Sequence, residues 1–119
     1  MATETTINYT DLGNARRLVQ WHGNKIRYVS QWGAWLLWVG TRWDMDKTGG
    51  IYRISKQTVA RMYREAGELD SERERKKYVQ WALNSESRTR IEAMIALART
   101  EPGIAIEPNQ LDTNQWVIN

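Results

Sequence analysis

The 119-residue sequence contains no cysteine and no phenylalanine, and it has only two prolines and one histidine. Without cysteine the chain cannot form disulfides or thiolate metal sites, which suits a reducing compartment. No apolar run approaches the length of a membrane span, and the first six residues lack the basic start and apolar stretch of a signal peptide. These absences predict a soluble cytoplasmic protein that has no membrane partner.

Catalytic motifs are also scarce. The sequence has no Gly-x-x-x-x-Gly-Lys-[Ser/Thr] loop, so it lacks the backbone cradle that holds nucleotide phosphates in such ATPases. Asp44 and Asp46 have the spacing of a metal-binding acidic pair, but a third carboxylate is missing nearby, and an exposed strand-to-turn segment is the favoured interpretation. His22 lies beside Gly23 at the C-terminal end of a predicted helix, where capping or packing is a better interpretation than a role as a base or metal ligand. We expect no catalytic residue, no metal site and no cofactor in this chain.

Tryptophan, by contrast, is abundant, and four of the seven tryptophans lie between residues 32 and 43. Their segment resembles two short apolar strands joined by a Gly40-Thr41 turn, because glycine supplies the positive φ that such a two-residue turn requires. A small sheet needs large side chains to fill its contact with helices, so Trp35, Trp38 and Trp43 are predicted to be mostly buried. Trp32 precedes Gly33 in a loop, and two interpretations stay open: stacking on an unpaired base, or a lid over the sheet edge.

Apolar periodicity and capping residues predict the remaining elements. A first helix begins near Thr10 or Asp11, and Gly23 ends it in the left-handed conformation. Strands at about residues 26 to 29, 35 to 39 and 42 to 45 form a three-stranded antiparallel meander. Three further helices follow. The second helix carries apolar residues from Ile51 to Ala66 and is ended by Gly67. A capping box of Ser71 and Glu74 starts the third helix, and the fourth helix carries apolar residues from Ile91 to Ala98.

The end of the chain has weaker signals. Residues 104 to 106 are predicted to be a short extended piece, Pro108 to Leu111 a helical turn, and Trp116 to Ile118 an apolar run. The fold class is therefore α+β and mainly helical: a helix, a small meander, three helices and a short extended segment. We expect a flexible N-terminus over residues 1 to 9, a single domain over residues 10 to 112, and the start of a connection to a following module over residues 113 to 119.

Charge is unevenly distributed along the chain. Residues 12 to 64 carry ten basic and two acidic residues, whereas residues 65 to 119 carry seven basic and ten acidic ones. On the second helix, four basic residues centre opposite the apolar stripe, and we call them the basic ridge: Arg53, Lys56, Arg61 and Arg64. Two interpretations of the ridge stay open: a solvated helix face or contact with phosphate. A solvated helix face usually mixes charges of both signs, whereas residues 47 to 64 contain no carboxylate.

Several ordered segments resemble one known family. They are Asp11-Leu12-Gly13-Asn14-Ala15, Ile26-Arg27-Tyr28-Val29, Trp35-Leu36-Leu37-Trp38-Val39-Gly40-Thr41-Arg42-Trp43, Ser85-Glu86-Ser87-Arg88, Ala93-Met94-Ile95-Ala96-Leu97-Ala98-Arg99, Glu101-Pro102-Gly103-Ile104 and Leu111-Asp112-Thr113-Asn114-Gln115-Trp116-Val117-Ile118-Asn119. In this order and at this spacing they are similar to the N-terminal helical domain of phage and plasmid primase-helicases of the poxvirus type. In that family the domain precedes a superfamily-three helicase motor.

The resemblance implies a DNA-replication accessory domain of a mobile-element protein. Its partners would be single-stranded or primer-template DNA, the helicase and primase modules of the same chain, and other copies in a ring. The parent protein would be a primase or an ATP-dependent DNA helicase that uses ATP and Mg²⁺, while this part is non-catalytic. Ten residues are candidates for non-specific DNA contact: Arg53, Lys56, Arg61, Arg64, Arg42, Arg27, Lys25, Arg16, Arg17 and Trp32.

A second function stays open from the sequence. The basic half of one copy could meet the acidic half of a neighbouring copy, which would make the domain a collar that assembles the helicase ring without touching DNA.

Overall fold

One α-helix and three strands lie between residues 11 and 45, and helices dominate after residue 50. The structure is a computed structural model that describes residues 7 to 111. Its elements are α1 (Asp11–His22), β1 (Ile26–Val29), β2 (Ala34–Trp38), β3 (Trp43–Met45), α2 (Gly50–Gly67), α3 (Glu72–Asn84), α4 (Arg88–Ala98) and β4 (Ala105–Ile106). Short 3₁₀ turns occur at Gly23–Lys25, Ser30–Trp32 and Pro108–Gln110. The predicted fold class, α+β and mainly helical, is confirmed.

The sheet has one more strand than the sequence predicts. Its order is β3-β2-β1-β4, in which the first three strands form the expected antiparallel meander. The fourth strand pairs in parallel with β1, with Tyr28 opposite Ala105, and the Tyr28 amide donates to the carbonyl of Ile104 at 2.8 Å. The extended piece predicted at residues 104 to 106 therefore completes a mixed sheet, because the end of α4 returns the chain to the open edge of β1.

The hairpin turn between β2 and β3 is confirmed. Gly40 has a φ of +97°, a conformation that glycine adopts without steric cost, and the Val39 amide donates to the Arg42 carbonyl at 2.9 Å. Strand β2 ends at Trp38 and strand β3 begins at Trp43, and these two residues lie opposite each other in the hairpin.

The first helix begins as predicted and ends differently. The Thr10 hydroxyl accepts a hydrogen bond of 2.9 Å from the Gly13 amide, which caps the helix. Gly13 lies so close to the Asn8 carbonyl that a side chain at this position would collide with it. The prediction of a left-handed Gly23 is wrong, because Gly23 has a right-handed φ of −60° and starts a 3₁₀ turn that leads directly into β1.

Serine hydroxyls cap the last two helices. Ser71 accepts a hydrogen bond from the Glu74 amide, and Ser87 accepts one from the Arg90 amide, each at 3.2 Å. The first contact agrees with the helix start that the sequence predicts at Ser71.

One hydrophobic core lies between the helices and one face of the sheet. The α1 helix packs on α4. The α2 helix packs on α3 and also contacts α1 and α4. The buried side chains include Leu18, Ile26, Tyr28, Trp35, Met62, Met94 and Ile95. Because the core takes the apolar stripe of α2, the opposite side of that helix faces solvent.

A buried polar network joins α1 to α3. The Asn14 amide group donates to Ser85 at 2.9 Å, and its oxygen accepts from the Trp81 indole at 2.9 Å. Arg17 extends the network to the N-terminal segment by donating to the carbonyls of Ile7 and Asn8. Residues 7 and 8 are thereby attached to the helical core.

The predicted connection at residues 113 to 119, including Trp116 to Ile118, lies outside the described residues. Between residues 7 and 111, no helix is both long and apolar enough to cross a membrane.

Candidate nucleic-acid interface

The α2 helix presents the basic ridge to solvent, as the sequence predicts. All four side chains are exposed, while Ile51, Val59, Met62 and Ala66 of the same helix are buried. Arg53 and Arg64 are eleven residues apart, which corresponds to about 16 Å along the helix axis at 1.5 Å per residue. The ridge is therefore long enough to contact more than one phosphate of a strand.

The four ridge residues differ in how they are held. Arg53 donates to the backbone carbonyl and the hydroxyl of Thr48 at 3.0 and 3.1 Å. The guanidinium of Arg61 lies over the ring of Trp21, 4.4 Å from its centre. Neither Lys56 nor Arg64 forms an ion pair with another residue of the described part of the chain. Two ridge cations are thus pre-positioned, and two are available without breaking an internal ion pair.

The start of α2 depends on Asp46. Its carboxylate accepts hydrogen bonds from the amides of Gly50 and Ile51 at 2.8 and 2.9 Å, which satisfies donors that the first helical turn leaves unpaired. Asp44 instead forms an ion pair of 3.0 Å with Arg42. Asp44 lies in β3 and Asp46 follows it, as a strand-to-turn segment predicts, although both are partly buried. Within residues 7 to 111 no group of three metal-ligating side chains occurs.

The prediction for Arg17 needs correction. This residue is only 2% exposed, and its guanidinium donates to the hydroxyl of Tyr78 and to the side-chain oxygen of Asn14. With the carbonyls of residues 7 and 8, these partners occupy its donors inside the protein. Arg17 therefore stabilises the fold and is not available to phosphate.

The other basic candidates of the first half lie near the surface. Arg16 forms an ion pair of 3.7 Å with Glu101, and Arg42 forms the one with Asp44. Arg27 donates to two backbone carbonyls and lies over the ring of Trp43, 5.0 Å from its centre, and burial lowers the pKa of its guanidinium. Lys25 is exposed. Arg16 and Arg42 thus have internal acidic partners, and Arg27 is held by backbone carbonyls.

Lys25, which follows α1, adds one cation near His22 and Arg61 of the ridge. Burial lowers the pKa of His22 below its ordinary value of 6.5, and the positive charges of Lys25 and Arg61 lower it further. His22 is therefore uncharged at neutral pH, which agrees with packing. The positive potential of its neighbours makes this end of the ridge favourable for an anion.

The tryptophans divide between the two faces of the sheet. Trp35 is 6% exposed and packs in the core, as predicted. Trp38 and Trp43 are partly buried and lie outside the hydrophobic core, where they pack edge to face with ring centres 5.3 Å apart. Trp35 and Trp38 are three residues apart on β2, so their side chains point to opposite faces of the sheet.

Trp32 lies in the 3₁₀ turn before β2 and is 37% exposed. This exposure is compatible with both interpretations of its role, stacking on a base and covering the sheet edge.

Trp21 is the residue near the ridge that sequence reasoning missed. Its ring supports Arg61 from the neighbouring helix. Helical periodicity could have indicated a packing role for Trp21, because it follows the buried Leu18 by three residues and both side chains lie on one face of α1.

Comparison with known proteins identifies the family. The family model described as D5 N terminal like matches residues 15 to 119, which is most of the chain. No curated protein and no solved structure shows a significant match. The matched residues include most of α1, the whole sheet, α2 with the basic ridge, and both later helices. The chain therefore belongs to the D5 N terminal like family, the N-terminal domains of D5-like primase-helicase proteins.

Proposed function

We propose that this domain binds DNA without sequence preference through the basic ridge of α2, as an accessory domain of a primase-helicase. The observation that carries the proposal is the exposure of four cations on one helix whose surrounding sequence, residues 47 to 64, contains no carboxylate. Because surface cations that neutralise phosphates release condensed counterions, such a helix attracts any DNA backbone.

The ridge is suited to phosphate rather than to base-edge recognition. Arginine and lysine reach phosphate oxygens from an exposed helix face, and contacts of this kind position a protein on DNA without reading its sequence. In the parent protein, this contact would hold template DNA close to the primase and helicase modules and so couple priming to unwinding. ATP and Mg²⁺ would act in those modules.

The proposal is tested by fluorescence anisotropy with labelled single- and double-stranded oligonucleotides over a salt series. With about three or four phosphate contacts, the slope of log affinity against log salt is expected near −2 to −4. Replacing three ridge residues together, Arg53→Gln, Lys56→Gln and Arg64→Gln, is expected to flatten that slope by roughly 2 to 3 units.

A matched control is available on α3, where Arg73, Lys76 and Lys77 are also exposed. Their replacement by glutamine removes the same three charges and is expected to leave most of the slope in place. Equal effects of the two triple variants would show that only net charge matters and would contradict a ridge site. No binding of the unaltered protein at low salt would contradict the proposal itself.

Ring assembly is the second candidate function, and one feature of α3 favours it. Val79 and Leu83 of this helix are 41% and 53% exposed, and they form an apolar stripe at i and i+4 beside Lys76. A collar would bury such a stripe between copies of the chain. Sedimentation of the isolated domain over a protein concentration series tests this: a monomer at all concentrations counts against assembly through this part alone.

A further inference from the structure

A groove of about 360 Å³ opens beside the basic ridge, between α2 and the start of α4. It is lined by Lys56, Val59, Ala60, Tyr63, Glu86 and Ile91. Its volume lies at the low end of the about 300 to 1,000 Å³ that is typical of small-molecule sites, which is enough for one nucleobase.

The walls of the groove combine apolar surface with one polar edge. Val59 and Ile91 are 3% and 6% exposed and form an apolar wall. Tyr63 is half-buried, and its hydroxyl donates a hydrogen bond of 2.7 Å to an oxygen of Glu86. A carboxylate has about four acceptor positions, so Glu86 can accept further hydrogen bonds while it holds Tyr63.

Lys56 connects the groove to the ridge. It belongs to both, because Lys56, Ala60 and Tyr63 follow each other at spacings of four and three residues and share one side of α2. A cation at the mouth of an apolar groove that contains an aromatic ring is the combination that single-stranded nucleic acid requires: phosphate outside and base inside.

We infer that this groove binds one unpaired base of a DNA single strand, with the strand's phosphate on Lys56 and the base between Tyr63 and the apolar wall. Glu86 accepts a hydrogen bond from the base, for which the amino group of cytosine is a suitable donor. A base inside a duplex is stacked and paired and cannot enter without being flipped out. The inference rests on the proposed DNA-binding function, and it adds a preference for single strands.

The first experiment uses the unaltered protein and two labelled 12-residue strands of equal charge. One is oligo-dC, and the other has the same sugar-phosphate backbone with abasic sites. Both engage the ridge equally, so any difference in affinity reports on the bases. Oligo-dC is expected to bind about tenfold more tightly, and the ratio should persist at higher salt, because a base contact releases few counterions.

The second experiment fills the groove with Ala60→Leu. Ala60 is exposed on α2, and leucine is a good helix former, so the helix should tolerate this change. The variant is expected to lose the preference for oligo-dC while it keeps its affinity for the abasic strand and the salt slope. Ala96→Leu at an exposed position of α4 is the matched control and should keep the preference. If Ala60→Leu does not fold, Glu86→Gln at the exposed edge takes its place and is expected to reduce the preference for oligo-dC.

The outcomes separate the groove from the ridge. Equal affinity for both strands, with the expected salt slope, overturns the groove and leaves the ridge in place. A preference that survives Ala60→Leu but disappears in Trp32→Ala also overturns the groove and moves the base contact to the loop before β2. Failure to bind either strand at low salt overturns the groove together with the proposed function.

Discussion

The Nε atom of Arg17 donates a hydrogen bond of 3.1 Å to the hydroxyl oxygen of Tyr78 inside the protein. Tyr78 in turn donates to a carboxylate oxygen of Glu65, and burial, followed by this hydrogen bond, raises the pKa of Tyr78. The chain of contacts links α1, α3 and α2 in that order. Arg17, which the sequence suggests for DNA contact, thus donates hydrogen bonds to a buried phenol and to two backbone carbonyls.

Replacing Arg17 by glutamine should destabilise the fold by about 2 to 4 kcal/mol, because the carbonyls of Ile7 and Asn8 and the Tyr78 hydroxyl would lose their donor while remaining partly buried. Urea denaturation followed by tryptophan fluorescence measures the change. Arg16→Gln, which removes an exposed ion pair with Glu101, should cost less than about 1 kcal/mol. Similar stability of both variants would contradict the structural role of Arg17.

Asp46→Ala should destabilise the protein by about 1 to 2 kcal/mol, since the amides of Gly50 and Ile51 would lose the acceptor that caps α2. Asp44→Ala is the neighbouring control and should cost less, because its ion pair with Arg42 is exposed. Thermal unfolding followed by circular dichroism compares the two variants. The prediction fails if Asp44→Ala is the more damaging change.

Stability should decrease as the pH falls below about 6.5. The pKa of His22 is lower in the folded protein than the ordinary value of 6.5, so below this pH the unfolded state binds more protons than the folded state. Above pH 6.5 the uncharged His22 makes its full contribution to the free energy of unfolding. This contribution is lost as the pH falls toward and through the lowered pKa. Urea midpoints between pH 5 and 8 measure this, and His22→Gln should remove that part of the dependence.

DNA bound at the α1 end of the ridge should raise the pKa of His22, because phosphate would offset the repulsion from Lys25 and Arg61. The single histidine of the chain makes the measurement direct: its ring proton shifts are followed by NMR in a pH titration with and without an oligonucleotide. The triple ridge variant of Arg53, Lys56 and Arg64 serves as control and should show a smaller increase. An unchanged pKa in a saturated complex would place the DNA elsewhere.

Local sequence signals predicted most of the helices and turns. The hydroxyls of Thr10, Ser71 and Ser87 each cap the helix they precede, and Gly40 adopts the positive φ of the hairpin turn. Such contacts join residues at most three positions apart, so their chemistry is visible in the order of residues. The exposure of the basic ridge was also predictable, since an amphipathic helix buries its apolar stripe.

Contacts between distant segments were not predictable in this way. The partner of β4, the burial of Arg17 and the half-burial of Trp38 and Trp43 depend on where α4 and the helical layer pack. The groove beside the ridge has the same origin, because Tyr63 and Glu86 are 23 residues apart and meet only after α2 and α4 have packed.

The sequence by itself determined the element types, the family resemblance and the cationic side of α2, because periodicity, caps and charge are properties of neighbouring residues. The tertiary structure alone decided which cations remain available. Arg17 is buried because Tyr78 and the carbonyls of residues 7 and 8 surround it, whereas Arg64 is exposed because the core is filled from the opposite side of its helix. Basic residues are alike in the sequence, and burial and hydrogen bonding make them differ.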